Sequence, residues 1–174
     1  MLTTVKAGGF ALIATAGYLA GQAVAYSYAR RPEDLKQCQA ALELLASEVD
    51  YASTHLGLAL QRVGRALGGP VGEAWRRSAA ALSEPAYGTV EAWEVGLEQL
   101  RLATALTLAD LDILRTFGLK LGATDRADQL RHISRAVERL RIQEEMARQA
   151  RSRNETVWRY LGVLSGVALG LVLL

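Results

Sequence analysis

With 174 residues and a formal net charge of +2, the chain has room for one domain plus flanking segments, and no strong field to draw nucleic acid. Ala and Leu dominate its apolar half and β-branched residues are few, which favours helix over strand. Cys38 is the sole cysteine, so an internal disulfide and a cysteine-based metal site are both excluded.

Every charge except Lys6 lies between two apolar runs at the chain's extremities. The first, Ala7 to Ala29, has 23 residues, against the roughly 20 needed by a helix that crosses a bilayer. Within it Gly17 and Gly21 form a GxxxG pair that would let another membrane helix approach closely. A cleaved secretory signal is the competing reading, with Lys6 as its charged start and Ala23-Val24-Ala25 as a cleavage-site pattern. The length of the run, the basic pair Arg30-Arg31 that stops it and the second apolar run at the far end favour a retained anchor.

Between the runs, amphipathic stripes follow one another. Pro32 suits a first helical turn. Leu35, Cys38, Leu42, Leu45, Val49 and Ala52 then recur at three- and four-residue spacing, with Cys38 as a small core residue. A second helix carries Leu56, Leu60, Val63 and Leu67 and ends at Gly68-Gly69-Pro70. A third runs from Pro70 to about Leu82 with Val71, Trp75 and Leu82 inward, followed by a loop from Ser83 to Gly88. Thr89 is expected to cap a fourth helix whose Val90, Trp93, Leu97 and Leu100 face the core. Thr107-Leu-Ala-Asp110 resembles a capping box and opens a fifth, with Leu108, Leu111, Leu114, Phe117 and Leu121 inward and Gly122 as its stop. Thr124 is expected to cap the sixth and longest, whose stripe is Leu130, Ile133, Val137 and Leu140, drifting to Ile142, Met146 and Ala150. Glu144 and Arg148 make a favourable pair one turn apart.

Tyr160 to Leu174 is the second apolar run, short for a full crossing unless Val157 and Trp158 extend it and Arg159 snorkels. Gly162, Gly166 and Gly170 line one stripe there for helix packing. Arg148, Arg151, Arg153 and Arg159 read as contacts to anionic lipid. The expected architecture is all-α: an antiparallel bundle of about six helices at 30–156, flanked by membrane helices at 1–29 and 157–174. Basic residues on the bundle side of both anchors place the bundle in the cytoplasm and both termini outside.

Chemistry is sparse. No H-E-x-x-H, C-x-x-C, G-x-x-x-x-G-K-[ST] or G-x-S-x-G occurs, and His55 and His132 are far apart in sequence. The carboxylate pairs Asp110/Asp112 and Glu144/Glu145 read as solvated helix faces, so no enzyme and no cofactor are expected. The densest polar cluster runs from Gly122 to His132. Caps and ion pairs of a helix start account for part of it; a partner-binding patch of Asp125, Arg126, Gln129, Arg131 and His132 accounts for the crowding.

Several segments jointly resemble the stage III sporulation protein AB family of endospore-forming bacteria. They are Arg31-Pro32, the helix Gln39-Ala-Ala-Leu-Glu-Leu-Leu-Ala-Ser-Glu48, Tyr51, Phe117-Gly-x-x-Leu-Gly122, Asp125-Arg126, Gln129, His132-Ile133, Asn154-Glu155 and Arg159-Tyr-Leu-Gly-Val-Leu-x-Gly166. Where the family reads Tyr-Gly-x-Thr-Pro-Leu, this chain has Tyr51-Ala-Ser-Thr54-His55-Leu56, which bears on the turn after the first helix. The resemblance implies a component of the channel complex joining mother cell and forespore, with a soluble part similar to the platform domain of type II secretion and type IV pilus systems. It implies a place in the mother-cell membrane. It also implies docking of a secretion-type ATPase similar to stage III sporulation protein AA, beside other channel-complex proteins and the lipid bilayer. A homo-oligomer is compatible with the sequence. The alternative is a two-span sensory or structural bundle facing outward, which would need a signalling module that this sequence does not contain.

Overall fold

The computed structural model describes residues 29–50, 55–122 and 125–172, with side chains through Ser152. The chain divides into two units, Arg30–Arg148 and Met1–Ala29 together with Gln149–Leu174. All regular structure among the described residues is helical. Helix α1 covers residues 29–50. It is followed by α2 (Leu56–Leu67), α3 (Gly69–Leu82), α4 (Thr89–Ala103), α5 (Leu108–Gly118) and α6 (Arg126–Val172).

The expected apolar stripes form one core in the unit Arg30–Arg148. Leu35, Cys38, Leu42 and Leu45 of α1 are shut away from solvent, as are Leu60 and Val63 of α2. Helices α2 and α3 are joined by Gly68 alone, which takes a positive φ of 64° that favours glycine. The tight turn brings Gly64 and Gly72 face to face: a Cβ on Gly72 would lie 2.5 Å from the Gly64 carbonyl oxygen. The α3–α4 seam is as close, since a Cβ on Gly96 would lie 2.7 Å from the Ala74 carbonyl oxygen. Short connections between helices that pack on their chain neighbours make α2 to α5 run alternately up and down.

Aromatic packing locks α3, α4 and α5 together. Trp75 meets Trp93 edge to face at 5.2 Å, and Trp93 meets Phe117 likewise at 5.6 Å, a T-shaped geometry that ring quadrupoles favour. Buried Trp93 Nε1 donates to the Leu114 carbonyl at 2.9 Å, so its one polar group is satisfied.

Several local expectations are corrected. Gly88, in extended conformation, is the N-cap of α4, and Thr89 is already helical. Helix α5 stops at Gly118; i→i+3 bonds from Lys120 and Leu121 continue the turn, which keeps Leu121 buried, and Gly122 takes the positive φ. Leu108, expected inward, is 78% exposed because it lies in the opening turn of α5 on the solvent side. In α6 the stripe does not drift to Ile142 and Met146, which are exposed. It continues straight through Ile133, Ala136, Leu140, Glu144 and Ala147. The expected cap Thr124 lies outside the described residues, as does Ala52. Asp125 Oδ1 accepts from the Asp128 N–H at 2.8 Å and performs the capping.

The anchor at 1–29 lies outside the described residues apart from its last position. The backbone of the 157–174 segment is helical to Val172 as part of α6. Among the described residues no helix is long and apolar enough to cross a membrane.

Candidate functional site

The capping box at Thr107 forms as the sequence implies. Its hydroxyl accepts from the Asp110 N–H, and Asp110 Oδ2 accepts from the Thr107 N–H at 2.8 Å. The box also turns the Asp110 carboxylate inward, where it is 0% exposed. There it meets Arg31 of α1 in a two-pronged pair, Nε to Oδ2 at 2.8 Å and Nη2 to Oδ1 at 2.9 Å. The same Nη2 reaches Gln143 Oε1 of α6 at 3.0 Å. Three helices distant in sequence are thereby joined by one guanidinium, whose planar fork matches a carboxylate.

The seam continues on both sides. Asp34 Oδ2 accepts the Ala105 N–H at 2.8 Å and holds the loop between α4 and α5. Burial pushes the Asp34 carboxyl above its usual range, opposed by that N–H and by Arg30. Gln39 donates to Glu144 Oε2 at 2.7 Å, and Arg148 pairs with the same carboxylate. The solvated reading of Asp110 and Glu144 is therefore corrected: both are buried and partnered, while Asp112 and Glu145 are exposed. Residue type hid this. The signal was present in the capping box for Asp110 and in the unbroken 133–136–140–144–147 spacing for Glu144. Arg31, read as a flank charge, is instead spent inside the bundle.

The expected partner patch is brought together at the start of α6 without being free. Arg126 pairs with Asp50 of α1 at 2.7 Å, and Arg131 pairs with Asp128. Asp125 is occupied in capping and also accepts the Gln129 N–H through its carbonyl. His132 points elsewhere, into a groove between α5 and α6 of about 260 Å³. His55, at the N-cap of α2, is exposed and takes no part in that groove. A second groove of about 630 Å³ lies between α1 and α6, with charges of both signs from Lys36, Glu43, Arg141 and Arg148 among its walls.

Of the expected lipid contacts, Arg148 pairs with Glu144, Arg151 is exposed, and Arg153 and Arg159 lie outside the described side chains. Gly17 and Gly21 lie outside the described residues; Gly162, Gly166 and Gly170 fall in the helical backbone of α6. Cys38 is fully buried and its thiol is pushed far up by burial, with Asp34 and Asp110 adding to the shift, so it is a core residue and not a nucleophile. Among the described residues no cluster of His, Cys, Asp or Glu could hold a metal ion.

These features define an all-helical bundle in which buried polar groups join helices and whose grooves lie open at the surface. The chain matches the family described as Stage III sporulation protein AB over residues 6–174, and it belongs to that family. It is 32% identical over 170 residues to Stage III sporulation protein AB of Bacillus subtilis (strain 168), covering 98% of this chain and 99% of that protein. A solved structure titled Stage III sporulation protein AB (SpoIIIAB) is similar with a TM-score of 0.65 and 31% identity, over 71% of this chain and 97% of that one.

Proposed function

We propose that this protein is a membrane-anchored platform of the channel complex between mother cell and forespore, and that its bundle docks a cytoplasmic secretion-type ATPase similar to stage III sporulation protein AA. Its anchors are the apolar segments at 1–29 and 157–174, and its bundle faces the mother-cell cytoplasm. One observation supports this reading most: membership of the sporulation family extends over residues 6–174, so it takes in both apolar ends as well as the bundle. The seam around Arg31 and Asp110 gives such a platform a fixed shape, because one guanidinium orients α1, α5 and α6 together.

The test is a binding titration of the full chain in nanodiscs with the cognate ATPase. Binding that charge reversal at Asp125 or Arg126, or replacement of His132 by Glu, weakens is the expected outcome. Absence of binding in every membrane mimetic overturns the reading.

A further inference from the structure

We infer that the groove between α5 and α6 is a docking site for an acidic amphipathic helix of a partner protein. Its rim carries Lys120 of the turn after α5 and Arg135 and Arg139 of α6, with His132 at one end. Its floor is apolar, made by Ile113 and the buried Phe117. No carboxylate contributes to the lining. Most arginines elsewhere in the bundle sit in ion pairs, as Arg31, Arg62, Arg76, Arg101 and Arg115 do, while Lys36, Arg65 and Arg141 are scattered cations without one among the described residues. Lys120, Arg135 and Arg139 have no ion-pair partner among the described residues. The carboxylates that α5 and α6 do carry, such as Asp112, Glu138 and Glu145, stand outside the groove.

Unpaired cations gathered on one concave surface repel one another and attract negative charge. Arginine forks bind planar carboxylates two-pronged. Arg135 and Arg139 are four residues apart, about 6 Å along a helix. That rise matches two carboxylates spaced i and i+4 on an approaching helix. A volume of about 260 Å³ has room for one or two apolar side chains over Ile113 and Phe117. Acidic residues flanking an apolar anchor at helical spacing are thus the complement of this surface, in the helix-in-groove mode. A phosphate group alone would leave the apolar floor uncovered. This surface would serve the motor docking proposed above, on which the identity of the partner rests, though not its chemistry.

The experiment places a photo-cross-linking amino acid at Thr116, an exposed residue of the groove wall, in the full chain expressed in sporulating cells. The cross-linked peptide is then identified by mass spectrometry. An adduct on a segment with Asp or Glu at i and i+4 around an apolar residue is expected, and Arg135→Glu with Arg139→Glu should lower its yield about tenfold or more. Helix content measured by circular dichroism keeps misfolding of that variant separate. An acidic adduct on the ATPase supports both proposals. An acidic adduct on another protein of the complex keeps this docking site and removes the ATPase reading at this surface. An adduct on lipid, nucleic acid or a non-acidic segment, no adduct, or a yield indifferent to the double reversal overturns the site.

Discussion

Replacing Asp110 with Ala removes the carboxylate that joins α1, α5 and α6, and its cost can be worked from the geometry. The carboxylate is fully buried, and Arg31 retains 19% of its side-chain exposure. The substitution strands the guanidinium with Gln143 at 3.0 Å and the Thr107 hydroxyl at 3.5 Å as its neutral partners. Removing one member of a buried pair costs about 3–5 kcal/mol. The partial exposure of Arg31 lets water offset some of that, while loss of the reciprocal half of the capping box adds up to about 1 kcal/mol. The expected destabilisation is thus about 3–4 kcal/mol. Thr107→Ala, which removes the cap hydroxyl and leaves the ion pair, should cost about 1 kcal/mol. The double variant Arg31→Met with Asp110→Leu should recover most of the loss, since an apolar pair of similar volume carries no stranded charge. Urea unfolding of the full chain in detergent, followed by circular dichroism, measures all three. An Asp110→Ala effect below about 1 kcal/mol, or a double variant no better than the single one, would refute a buried pair as the joint of the three helices.

Gly57→Ala and Gly96→Ala should shift stability in opposite directions. At Gly57 a Cβ has Leu82 at 3.7 Å, an ordinary contact, so the gain in helix propensity in this first turn of α2 should stabilise by up to about 0.5 kcal/mol. At Gly96 the Cβ would press on the α3 backbone at Ala74 and should destabilise by about 1–3 kcal/mol; unfolding midpoints read both. Cys38 should resist maleimide in the native protein and react once urea unfolds it, as mass spectrometry would register. Asp34 has its folded-state carboxyl raised above 3.8, so its contribution is full below that value and fades as pH rises through the raised one. Asp34→Asn should therefore gain on the wild type as pH increases through that window; unfolding midpoints taken across it would show parallel curves if the carboxylate were not desolvated.

The apolar helix faces were legible because a 3.6-residue period leaves its mark directly in sequence, as Leu35, Leu42 and Leu45 or Trp75 and Trp93 show. The cap of α5 was legible for a different reason, since Thr107 and Asp110 satisfy each other within one turn. What escaped were polar residues whose burial depends on partners far away in the chain. Asp110 and Glu144 look wet by type, and only the approach of Arg31 and Gln39 from α1 makes their burial tolerable. The groove was hidden for the same reason: Lys120 and Arg139 share a surface only once α5 has packed beside α6. Helix ends shifted by a few residues where a loop could continue a turn, as after Gly118.

The two-anchor platform is tested most directly by sidedness. In a Cys38→Ala background, Ser134→Cys puts a single thiol on the exposed face of α6. Fractionation should place the full chain in the membrane pellet, and a membrane-impermeant maleimide should label that thiol only after the cells are permeabilised. Labelling of intact cells, or recovery of the chain in the soluble fraction, would contradict a cytoplasmic platform held by both ends.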